Sequence, residues 1–237
     1  MTGTAADRFP GFDPAAQAPN WDAVTAGVVL SRLARPPEIR FFTLDQEAIA
    51  TALCDQLLGQ DAARIVPVTA MIDARLAEAQ TDGWRYADLP EDGQAWRDTL
   101  RYLDEDARAT FGSGFAGLGG ADQRAVIQAV QDLGSGDWHE LNAAHVWSLW
   151  TRYACTAFYA HPAVWAEIGF PGPAYPRGYK NIGVDRREPF EVADARPSAD
   201  PVAGPAAAAA DPDQNRGADL MADLARDPAS GPATGAS

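Results

Sequence analysis

The chain has 237 residues, 46% of them hydrophobic, with a formal net charge of −14 and only two cysteines. No cluster of Lys and Arg stands against that charge, which argues against a nucleic-acid or anionic-membrane surface, since both recruit phosphates through a basic patch. Two thiols make no disulfide framework, and no apolar run approaches the roughly 20 residues of a membrane span.

In chain order, the first forty residues are punctuated by Pro10, Pro14, Pro19, Pro36 and Pro37, which predicts an irregular N-terminal extension over 1–40. The start is neither basic nor followed by a long apolar stretch, so a cytoplasmic location is expected. Thr43-Leu-Asp-Gln46 fits a capping box, and Ile49, Leu53, Leu57 and Leu58 follow at helical period. Pro67 opens a second helix carrying Met71, Ile72 and Leu76. A loop from Thr81 to Gly93 separates it from helical runs through Trp96, Leu100 and Leu103, then Val126, Ile127, Val130 and Leu133. The last long helix starts near Asn142 and stops at His161-Pro162, and Pro162 begins a short helix ending at Gly169. No alternating strand run and no fixed-period repeat occurs. The fold class is therefore all-α, a single helical domain over 41–190. From 191 to 237 the chain is Ala, Pro, Asp and Gly with few apolar anchors, which predicts a disordered acidic tail. Within it only Ala218 to Ala225 could form a transient helix.

The stretch from His145 to Gly183 concentrates nine of the chain's 22 Phe, Trp and Tyr residues in 39 positions. Trp147, Trp150, Ala154, Ala157 and Phe158 share one helical face. Beyond them, Pro171, Pro173 and Pro176 with Gly169, Gly172 and Gly178 forbid a regular element, leaving a stiff aromatic arm over about 169–190. Such an arm either packs back on its own domain or docks on a partner at small ordering cost.

Catalytic motifs fail on inspection. Gly112-Ser-Gly114-Phe-Ala-Gly117 spells GxGxxG, but a dinucleotide fingerprint needs a preceding strand within a βαβ unit, and here a charged helical run precedes it. His139 and His145 are six apart, whereas a zinc helix sets its histidines four apart on one face. His161 could join them only by folding back. Cys54 and Cys155 lie inside helical patterns and read as structural thiols. Asp104-Glu105-Asp106 reads as a solvated face. The expectation is no catalytic, cofactor-binding or metal-binding residue in this chain.

Three runs carry a resemblance: Ala157 to Pro162 (AFYAHP), Trp165 to Phe170 (WAEIGF) and Gly172 to Tyr179 (GPAYPRGY), with weaker similarity back to Phe41-Phe42-Thr43-Leu44 and on to Phe190. Together they resemble the gluconate 2-dehydrogenase subunit 3 family, the small subunit of flavin-dependent gluconate, sorbitol and glucose dehydrogenase complexes. The resemblance implies an accessory subunit without catalysis of its own. Its partner would be a large FAD-binding GMC-type oxidoreductase subunit, with room for a further electron-transfer subunit, and FAD is expected in that large subunit. Members of the family commonly carry a twin-arginine export signal. The only Arg-Arg pair here, Arg186-Arg187, lies far inside the chain, so the alternative to the cytoplasm is export with a signal-bearing partner. Physical character and resemblance together nominate Trp165, Ile168, Phe170, Tyr175, Arg177, Tyr179 and Lys180 as partner-binding residues, because aromatic and Arg anchors are enriched at interface hot spots. A helical scaffold with an unrelated partner and an independent helical enzyme with an unrecognised site remain as alternatives.

Overall fold

The computed structural model describes residues 8–60, 63–184 and 186–198. Seven α-helices are described: α1 (Ala23–Ser31), α2 (Leu44–Leu58), α3 (Val68–Ala77), α4 (Asp92–Phe111), α5 (Gly120–Asp132), α6 (Ala143–Ala160) and α7 (Pro162–Ile168). The mostly helical architecture agrees with the expected class.

Local chemistry accounts for many of the boundaries. The Thr43 hydroxyl accepts the Gln46 N–H at 3.3 Å and the Gln46 side chain accepts the Thr43 N–H at 3.1 Å, so the capping box forms as read. Gly59 ends α2 at φ 64°, a left-handed position that favours glycine. Asn142 caps α6 by accepting the His145 N–H at 3.2 Å, and Pro162 starts α7 where its missing N–H costs no helical bond.

Helix α2 is the hub, packing on α3, α4, α5 and α6. Around it lie Leu53, Val66, Ile72, Trp96, Leu100, Leu103, Phe115, Val130, Val146, Leu149, Trp150 and Tyr153, all fully buried. Each such side chain removed from water contributes roughly 1.5–3 kcal/mol, so this core carries most of the fold's cohesion. Among its polar members the Trp96 indole N–H has no hydrogen-bond partner among the described residues, whereas Trp150 and Thr99 satisfy one another. The Trp150 indole donates to the Thr99 hydroxyl at 3.0 Å, and Thr99 in turn donates to the Ala95 carbonyl at 2.7 Å.

Two features differ from the sequence reading. Residues 137–142 form a short antiparallel hairpin, β1 (Asp137–Trp138) and β2 (Leu141–Asn142), turned by His139 and Glu140 at φ 47° and 68°. Strands of two residues are too short for alternation to register. The N-terminal extension is not irregular throughout. It holds a 3-10 helix, Pro14–Asn20, capped by Asp13, and then α1, capped by Asp22. Pro10 falls in the turn before the 3-10 helix, Pro14 and Pro19 within that helix, and Pro36 and Pro37 beyond α1, so they punctuate these elements rather than preventing them. Trp21 and Val29 from this segment form a second small core with Trp165. At the other end, the Arg8 guanidinium pairs with Asp194 and the Ala195 N–H donates to the Arg8 carbonyl at 2.8 Å, which fixes the first tail residues. The rest of the expected disordered tail, including Ala218 to Ala225, lies outside the described residues. Among the described residues no helix is long and apolar enough to cross a membrane.

Candidate functional site

The arm leaves α7 through Gly169, whose φ of 68° turns the chain back. Its first residues are pressed onto the N-terminal segment. A Cβ at Gly169 would come within 2.4 Å of the Phe9 ring, and one at Gly172 (φ 82°) within 2.6 Å of the Trp21 ring. Only glycine fits either place. The Trp21 indole donates to the Pro173 carbonyl at 2.9 Å, and Arg177 Nη1 donates to Gln17 Oε1 at 3.0 Å.

Farther along, Glu188 gathers Lys180 and Asn181 onto its side chain. Its carboxylate accepts the backbone N–H groups of Lys180 and Asn181 and the Asn181 side-chain amide at 3.1 Å. Those donors, the Asn181 N–H first, hold the carboxyl below its usual range. The Arg177 guanidinium lies 3.9 Å over the Phe190 ring, and its Nε and Nη2 have no hydrogen-bond partner among the described residues.

The nominated residues divide. Trp165 is only 3% exposed: its ring joins Trp21 and Val29, its indole donates to the Tyr159 carbonyl at 2.9 Å, and Phe170 meets it edge-on at 5.1 Å. Its aromatic spacing marks it as buried, but the surface that buries it belongs to its own chain. Ile168, Phe170, Tyr175 (63%) and Tyr179 (52%) are exposed, Lys180 is exposed beside them, and Arg177 is half-buried. Ile182 and Val184, 86% and 91% exposed, are apolar residues on the same arm that the sequence reading missed. Their signal was an apolar pair flanking Gly183 in polar sequence. The arm thus holds several large exposed apolar side chains close together in sequence.

The motifs judged weak in sequence have structural work in the fold. Gly112 ends α4 at φ 72°, and the Phe115 N–H donates to Asp104 at 2.8 Å, so the glycine run is a tight connector between α4 and α5. His139 pairs with Asp106 and stacks on Tyr102, His145 pairs with Asp88 and stacks on Tyr86, and His161 caps α7 through Nδ1. The three imidazoles thus serve three separate contacts. Among the described residues no group of three or more His, Cys, Asp or Glu could hold a metal ion.

One polar network lies in the main domain. Asp82 pairs with both Arg75 and Arg152, and the Tyr153 hydroxyl donates to Asp92 at 2.7 Å. Burial pulls the Arg152 guanidinium below its ordinary value, and burial with the Asp92 bond pushes the Tyr153 phenol up. A groove of about 880 Å3 opens beside it, lined by Val28, Arg32, Met71, Arg75, Tyr153 and Ala157. With its two cations already matched by two carboxylates, the network ties the loop before α4 to α3 and α6.

Fold and site together define a small helical protein whose arm exposes aromatic and apolar side chains. The family model described as gluconate 2-dehydrogenase subunit 3 matches residues 44–172, more than half of the chain, and the chain belongs to that family. Membership makes it a subunit of a gluconate 2-dehydrogenase type of complex and implies association with the other subunits. No curated protein and no solved structure matches the chain.

Proposed function

We propose that the chain is a non-catalytic accessory subunit that docks through its arm on a large FAD-binding GMC-type oxidoreductase subunit and supports its folding, stability or assembly. The observation that carries this reading is the exposure of Phe170, Tyr175 and Tyr179 on an arm whose backbone is held from behind. An ordered arm loses little conformational freedom on docking, so aromatic contacts translate into affinity. Ile168 extends the surface, Arg177 and Lys180 supply polar contacts at its edge, and Trp165 supports it from within. The flavin belongs to the large subunit in this reading, so the purified chain is colourless and has no turnover.

The test uses Tyr175→Ala and Tyr179→Ala, followed by thermal melting of the isolated chain and titration against the large subunit. Removing a true anchor costs about 2 kcal/mol or more, weakening association roughly thirtyfold. Unchanged melting with weakened binding supports docking. Lowered melting with intact affinity of the folded fraction rejects it.

A further inference from the structure

Both glycines that start the arm lie flat against aromatic rings contributed from more than 140 residues away in the chain. Phe9 meets Gly169, Trp21 meets Gly172, the Trp21 indole holds the Pro173 carbonyl at 2.9 Å, and Gln17 holds Arg177 at 3.0 Å. All four contacts come from residues 9–21, and none of those residues falls within the family-matched region 44–172. We infer that this N-terminal segment is a clamp that sets the shape of the docking arm, with Phe9, Gln17 and Trp21 as its positioning residues.

The clamp has a front and a back. Pro171 and Gly172 are buried behind the arm, while Tyr175 and Tyr179 project on the open side, so the clamp leaves the aromatic surface free. The arm has few backbone bonds of its own: Phe170 N–H to the Trp165 carbonyl at 2.9 Å and Gly178 N–H to the Ala174 carbonyl at 2.8 Å are two of them. A segment so sparsely self-bonded needs outside contacts to hold one conformation. The clamp also stands apart from the main domain. Trp21, Val29 and Trp165 form a core cluster separate from that of α2 to α6, so opening it need not unfold the helices. A partner meeting an unclamped arm would have to order it first, and affinity would fall by that cost.

The inference rests on the docking reading, and the experiment separates the two. The full chain is compared with Trp21→Ala and Gln17→Ala by amide hydrogen exchange and by titration against the large oxidoreductase subunit. For Trp21→Ala, exchange at the Phe170 and Gly178 amides should rise at least about tenfold while α4 and α6 keep their protection, and affinity should fall at least about tenfold. Gln17→Ala should shift both quantities the same way by about threefold, and it decides the matter if Trp21→Ala does not fold. Unchanged arm exchange overturns the clamp, as does faster arm exchange with unchanged affinity. Loss of protection in α4 and α6 alongside the arm also overturns it, because the segment would then belong to the main core. Should Tyr175→Ala and Tyr179→Ala bind like the natural chain, the docking reading fails by itself, whatever the exchange shows.

Discussion

Asp73 offers the sharpest test of how the domain is held. It lies on α3, is 0% exposed, and its carboxylate accepts three consecutive backbone N–H groups, from Arg40 at 2.7 Å, Phe41 at 2.9 Å and Phe42 at 2.8 Å. It thereby pins the chain entering α2 onto α3 and seats Phe42 6.1 Å from the Trp96 ring. Asp73→Ala removes every acceptor at once. The Phe42 bond is buried, so its N–H has no route to water and costs about 2–3 kcal/mol, while the two half-buried N–H groups rehydrate and cost about 1 kcal/mol each. The sum is about 4 kcal/mol, a fall in Tm of about 10 °C for a domain of this size. Asp73→Asn keeps one oxygen able to serve two donors but turns an NH2 toward the third, so about half the loss is expected. Melting followed by circular dichroism at pH 7 measures both. A fall below about 3 °C for Asp73→Ala would refute the reasoning, since the three bonds would then be replaceable by water.

The remaining predictions concern titratable groups. Burial pushes the Cys54 thiol up to about 12, whereas Cys155 is exposed, so at pH 8 a thiol reagent should label one cysteine in the native chain and two after denaturation. Two labelled thiols in the native chain would sink this. The same shift has a sign for stability. An acid raised in the folded state has no effect below its unfolded value near 9, and stability falls as pH rises from there toward 12. The loss is on the order of 4 kcal/mol, and Cys54→Ala should remove it; an unchanged alkaline slope in that variant refutes the assignment. His161 runs the other way. Burial, then the Arg32 charge, holds its imidazole below 6.5, so the stability it contributes is full above that pH and lost as pH falls below it. Because its Nδ1 accepts the Ala163 N–H at 3.2 Å, acid should lower the protection factor at the start of α7, and His161→Asn should flatten that response. Equal pH dependence in both proteins would count against it.

What could be read from the residues in order was whatever depends on near neighbours. The capping box at Thr43 and Gln46, the stop at His161-Pro162 and the left-handed end of α7 at Gly169 are contacts within four or five residues, and their chemistry is complete in local sequence. The apolar period along α2, α4 and α6 announced a helical core for the same reason. Periodicity says that a side chain is buried; it does not say by what. Trp165 was therefore recognisable as an anchor, yet only the fold turned it toward Trp21 and Val29 of its own chain rather than toward a partner. Asp73 resembled any charged helical residue until the fold brought three N–H donors from residues 40–42 onto it. The arm's prolines and glycines predicted stiffness, but its shape depends on bonds such as Trp21 to Pro173, across 152 positions of sequence. Contacts at that separation arise from packing two distant surfaces, and no spacing within either surface encodes the other.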